Sequence, residues 1–66
     1  MDQQPATARR RAFSIEEFCA AHAISRATFY NLIKAGKAPR LMHVGARRLV
    51  TEEAAAEWRQ AMTNAA

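Results

Sequence analysis

Ser14 and Ser25 each read as the start of a helix, and only Ala23-Ile24 separates the first helix from the cap of the second. So tight a link, with an apolar residue just before the second cap, specifies a helix-turn-helix. Ser14-Ile-Glu-Glu17 matches a capping box, in which Ser14 accepts from the backbone N–H of Glu17 and Glu17 reaches back. Phe13 and Phe18 take the N′ and N4 places of a hydrophobic staple, and Ile15, Phe18, Cys19 and His22 share one helical face. Such turns often carry glycine where this chain has Ala23. Alanine adopts a positive φ only at a cost of roughly 1–2 kcal/mol, so either the turn is strained or its geometry differs slightly.

The second helix is bounded by Ser25, an N-cap type, and Gly36, the type that ends helices in a left-handed turn. Phe29, Leu32 and Ile33 fall on one side at helical spacing, and Arg26, Ala27, Tyr30, Asn31 and Lys34 fall mainly on the other. After Gly36, Pro39 forbids continuation. The segments Arg40–Val44 and Arg48–Val50 then read as two short strands around a three-residue loop, Gly45-Ala46-Arg47. Thr51 caps a last helix, with Glu52 and Glu53 where negative charge meets the helix dipole favourably. Its apolar stripe is Ala54, Ala55, Trp58, Ala61 and Met62, and Trp58 is expected in the core. The fold class expected is mainly α with a small β-hairpin wing. Residues 1–12 read as a flexible basic N-terminal arm, 13–63 as the folded domain, and 64–66 as a tail, with fraying expected from Thr63.

Composition narrows the function. The chain has 66 residues, enough for one small domain that buries only roughly 60% of its unfolded surface. No apolar run approaches the roughly 20 residues of a membrane span, and no signal-peptide pattern opens the chain. The single cysteine, Cys19, excludes an internal disulfide framework and fits a reducing cytoplasm. The net charge is +4, but its distribution says more. Between Arg26 and Arg48 there is no acidic residue, while Lys34, Lys37, Arg40 and Arg47 add positive charge. A basic middle between acidic helix starts suggests one positive surface facing a polyanion.

The outer face of the second helix carries guanidinium, amide, phenol and ammonium groups, which suit a DNA groove. A solvated amphipathic helix would show a polar face too. Arg47 and Arg48, at or beside the hairpin tip, either keep an exposed turn soluble or lie along a minor groove, where arginine is favoured. Arg9, Arg10 and Arg11 form either a solubilising tail or a DNA-contacting arm. Cys19, His22 and His43 make only a partial metal-ligand set, and nothing pairs a nucleophile with a base, so neither a metal nor a cofactor nor an enzymatic activity is expected. Cys19 is better placed filling a slot between the first two helices, His22 ending a helix, and His43 touching phosphate.

The order of these features, a capped helix, Ser-Arg-x-Thr-x-Tyr-x-Leu-Ile-Lys-x-Gly, Pro39, a hairpin with Gly45 and Arg47-Arg48, and a Thr-Glu-Glu-led helix with a Trp, resembles a known family. It is similar to the small MerR-like winged helix-turn-helix proteins of the excisionase and AlpA-type phage-regulator families, from about Phe13 to Met62. Members are encoded on phages and integrative elements and act either as recombination directionality factors that bend attachment-site DNA beside an integrase, or as transcriptional regulators. The resemblance implies that Ser25, Arg26, Ala27, Thr28, Tyr30, Asn31 and Lys34 present to the major groove of double-stranded DNA. It implies a wing made of Arg40, His43, Arg47 and Arg48. Arg26 and Asn31 then address guanine and adenine edges, or Arg26 binds phosphate. Thr28 joins backbone N–H groups on a phosphate, and Tyr30 is half-buried with its hydroxyl in the groove. Family members often carry a basic residue in place of Asn31, so the base preference should differ. The implied partners are DNA, neighbouring copies of the protein on it, and an integrase or RNA polymerase, in a cytoplasmic, nucleoid-associated setting and without a membrane. An excisionase-like factor leads, with a promoter-binding regulator second. A protein-interaction module is the alternative of another class.

Overall fold

Helix caps lay out the chain in the computed structural model, which describes residues 11–65. Strand β1 (Ala12–Ser14) leads directly into α1 (Ile15–Ala21); α2 (Arg26–Ala35) follows; β2 (Met42–Val44) and β3 (Arg47–Thr51) form a hairpin; and α3 (Glu52–Ala65) closes the domain. Among the described residues this makes a small α+β domain of three helices and a three-stranded antiparallel sheet in the order β1-β3-β2.

The capping box is present in full: Glu17 N–H donates to Ser14 Oγ at 3.0 Å and Ser14 N–H to Glu17 Oε1 at 2.9 Å. Ser25 Oγ accepts from Thr28 N–H at 3.0 Å, and Thr51 Oγ1 accepts from Ala54 N–H at 3.0 Å. Gly36 ends α2 with φ +74°; its N–H donates to Ile33 O and that of Lys37 to Leu32 O, the paired bonds of a Schellman motif. Ala23 does sit in the left-handed region, with φ +57°, so the turn between α1 and α2 is strained rather than altered.

Apolar residues from every layer meet at Phe18, Cys19, Phe29, Val50, Ala54 and Ala55, with Phe13, Ile24, Ile33 and Leu41 among those packed around them. Phe18 is fully buried, with ring centroids of Phe13, Phe29 and Trp58 at 6.2, 5.7 and 5.2 Å in edge-on contacts. The His22 ring stacks on it at 4.2 Å. Arginine can only donate, so the 2.9 Å contact from Arg59 Nη1 makes His22 Nε2 the acceptor and puts the ring proton on Nδ1. That proton bonds Phe18 O at 2.8 Å. Cys19 fills the expected slot beside α2. Burial pushes its thiol up, against a partly offsetting pull from the Arg26 guanidinium, so it stays protonated at neutral pH.

Several boundaries differ from the sequence-based expectation. Arg11 and Ala12, expected in the arm, belong to the fold: Arg11 O accepts from Glu52 N–H at 2.8 Å, and Ala12 pairs with Thr51. Strand β1 covers an edge of β3 that the hairpin alone would leave open, with Phe13 opposite Val50. The hairpin loop has two residues rather than three, because Arg47 pairs with Val44. Gly45 has φ +60° and Ala46 does not share it, the pattern of a type II′ turn. Strand β2 starts at Met42, not Arg40. Helix α3 spans Glu52–Ala65, past Thr63, with Thr63 Oγ1 donating to Arg59 O and Gln60 Nε2 to Asn64 Oδ1. The second half of its stripe is not core: Ala61 is exposed and Met62 half-buried, both lining an open groove against Lys37–Arg40. Trp58 is half-buried, one side on Phe18, its Nε1–H donating to Lys37 O at 2.9 Å. No helix of the described residues is long and apolar enough to cross a membrane.

Trp58→Ala removes an aromatic neighbour of Phe18 and the hydrogen bond to Lys37, and should destabilise the domain by about 3 kcal/mol or more in a urea melt. Ala23→Gly relieves the positive φ and should raise the melting temperature, by about 0.5–1 kcal/mol of stability.

Candidate functional site

Helix α2 is built unlike its neighbours. Helices α1 and α3 both open with two glutamates, Glu16 and Glu17 in one and Glu52 and Glu53 in the other, which offset the positive end of the helix dipole. Helix α2 has no acid in its first turn and begins with Arg26. A cation there is unfavourable by about 0.3–1 kcal/mol, so the positive charge is held in place by the rest of the fold. The amides of Arg26 and Ala27, first in the helix, have no intrahelical acceptor.

Arg26, Ala27, Thr28, Asn31 and Lys34 are exposed, while Phe29 on the opposite side is fully buried. Ala27 adds almost no bulk, so the backbone can be approached closely there. Ser25 is consumed by capping: its hydroxyl takes the Thr28 N–H and donates to Thr28 Oγ1 at 2.9 Å. The Thr28 amide is therefore taken up within the cap and not open to a phosphate, which leaves the Arg26 and Ala27 amides as the first donors without an intrahelical acceptor. Tyr30 is half-buried, as expected, with its ring edge-on to Phe29 at 5.7 Å.

The hairpin supplies the second group of cations. Arg48 lies opposite His43 in the ladder, and Arg47 opposite Val44. Side chains alternate along a strand, so Arg48 shares the face of buried Val50, toward the helices, while Arg47 shares the face of Leu49. Arg48 reaches α2 directly: its Nη2 donates to Tyr30 Oη at 3.5 Å and its guanidinium carbon lies 5.9 Å from the Tyr30 ring centroid. Arg48 thus reaches the exposed surface of α2 at Tyr30.

Arg40 does not join them. Expected on the wing, it precedes β2 and is bound to α3, donating from Nε and Nη2 to Glu57 Oε1 at 3.1 and 2.8 Å. Arg59 is likewise paired, with Glu52 at 3.1 Å. Arg26, Lys34, Arg47 and Arg48, by contrast, have no carboxylate partner among the described residues. Lys37 is another cation without a carboxylate partner among them; it belongs to no motif, although the acid-free run from Arg26 to Arg48 includes it. Arg11 is exposed at the start of β1; Arg9 and Arg10 lie outside the described residues. Both ring nitrogens of His22 are engaged and Cys19 faces the core, and no three His, Cys, Asp or Glu side chains converge among the described residues.

Compared with known protein families, with curated proteins and with solved structures, the chain matches none.

Proposed function

We propose that this domain binds double-stranded DNA, with α2 in the major groove and the β2–β3 hairpin as a wing along the flanking backbone or minor groove. The observation that carries the reading is the division among its cations. Those on α2 and the hairpin, and Lys37 between them in the chain, are exposed and without carboxylate partners among the described residues, whereas Arg40 and Arg59 are paired with Glu57 and Glu52. Exposed arginines and lysines without carboxylate partners are what phosphates recruit. In this reading Asn31 faces a base edge, since an amide can bond adenine at two points, and Arg26 stands where guanine or a phosphate would lie. Arg47, Arg48, His43 and the first amides of α2 take the backbone.

The element order and the Ser25–Gly36 motif support placing it beside MerR-like winged helix-turn-helix proteins, and within them the excisionase and AlpA-type regulators. On that basis we assign it a cytoplasmic, nucleoid-associated role as a recombination directionality factor that fills adjacent sites and bends the DNA between them. Selection from a random duplex library would supply a binding site, and a fragment of it labelled at both ends reports bending. The ends should approach as copies bind cooperatively. Constant end-to-end distance would remove the bending role and leave a promoter-binding regulator.

Binding itself is tested by a salt series. Arg47→Ala with Arg48→Ala should weaken every duplex and lower the slope of log affinity against log salt by about 1 for each phosphate no longer neutralised. Asn31→Ala should cost about 1–3 kcal/mol at the selected site and relax preference at one base position. A double hairpin variant that binds like the wild type would take the hairpin out of the interface.

A further inference from the structure

The hairpin projects beyond the core. All of β2 is exposed, as are Gly45, Ala46, Arg47 and Arg48, and burial returns only at Leu49 and Val50. Helix α2 packs chiefly on α1, while β3 packs on α1 and α3. Beyond the core shared by Phe29 and Val50, the exposed part of the hairpin meets α2 at one polar contact. Tyr30 on α2 and Arg48 on β3 form the single polar side-chain contact between these elements among the described residues. The Tyr30 side of this contact is fixed, because its ring is half-buried and seated edge-on against fully buried Phe29. The Arg48 side is held by a phenol oxygen and a ring face, not by a carboxylate. Its positive charge stays available to an anion, and its remaining N–H groups stay open to one.

We infer that Tyr30 is a positioning residue that braces the hairpin against α2, so that the domain reads the spacing between two stretches of DNA as well as their sequence. This rests on the DNA-binding reading above. A brace fixes the separation between the groove entered by α2 and the backbone met by Arg47 and Arg48. Inserting one base pair between those stretches shifts the second along and around the duplex, out of reach of a hairpin that cannot swing. A hairpin released from Tyr30 can follow it. Tyr30 is thereby assigned to spacing discrimination, a role separate from any bond its hydroxyl makes with a base.

The test uses Tyr30→Phe, which keeps the ring on Phe29 and removes the acceptor, and Tyr30→Leu, which also removes the ring face. Two readouts are taken. The first needs no DNA: amide heteronuclear relaxation at Gly45 and Ala46 should show greater nanosecond motion in both variants, more in Tyr30→Leu, with α2 and the core amides unchanged. The second is anisotropy binding to a selected duplex and to the same duplex with one base pair inserted. Wild type should bind the inserted duplex about tenfold or more weakly, comparable to the penalty of one mismatched base pair, and the variants should show a distinctly smaller penalty. Hairpin motion equal to wild type in both variants overturns the brace, whatever the DNA result. An insertion penalty unchanged in the variants, or absent in wild type, overturns spacing discrimination and leaves DNA binding standing. Salt-insensitive or absent binding by wild type overturns the DNA reading itself, while the relaxation measurement still decides the brace.

Discussion

Phe18 is the residue on which the rest of this domain depends. Its ring is fully buried and meets Phe13 from β1, His22 from the end of α1, Phe29 from α2 and Trp58 from α3. A chain of this size has few apolar side chains with which to build a core, and here one ring joins every helix to the sheet. The polar bonds reinforce that meeting point. Phe18 O accepts a hydrogen bond from His22 Nδ1–H, His22 Nε2 accepts one from Arg59, and Arg59 donates to Glu52 at the start of α3. The first and last helices are thus fastened together around the Phe18 ring.

Against that well-satisfied centre, α2, the turn before it and the hairpin carry features that cost stability. Ala23 is strained, Arg26 sits at the wrong end of a helix dipole, and Arg47 and Arg48 crowd positive charge onto a projecting hairpin. Elsewhere the same chain follows the usual rules, with glutamates at helix starts and arginines on carboxylates. Local departures in a domain that otherwise obeys those rules are common at functional sites, and they support the proposed reading.

The helix boundaries are legible in the sequence because they are written in local chemistry. Ser14 with Glu17, Ser25 with Thr28, Thr51 with Ala54, and Gly36 each form their bond within a few residues, so motif spacing suffices to find them. Strand β1 is not legible, since Ala12–Ser14 is too short for alternation and its partner Val50 lies far along the chain. Ser14 also serves both elements, being an N-cap in extended conformation (φ −67°, ψ 166°), so the strand leaves no break before α1. Arg40 misleads for the same reason: Glu57, which holds it, is distant in sequence. The difference between a two- and a three-residue loop turns on whether Arg47 pairs with Val44, which the imperfect alternation of the hairpin does not reveal. The face shared by α2 and the hairpin is legible as a run without acids, whereas which of its cations are partnered becomes clear only in three dimensions.

The most direct measurement of the central claim is a titration of isotope-labelled protein with a short DNA duplex at low salt, followed amide by amide. If α2 and the hairpin form the interface, the largest shifts fall on Arg26 to Lys34 and on His43 to Arg48, α3 from Glu57 to Ala65 stays still, and added salt reverses the shifts. Shifts concentrated on the groove between α3 and Lys37–Arg40, or none on α2 at all, would contradict it.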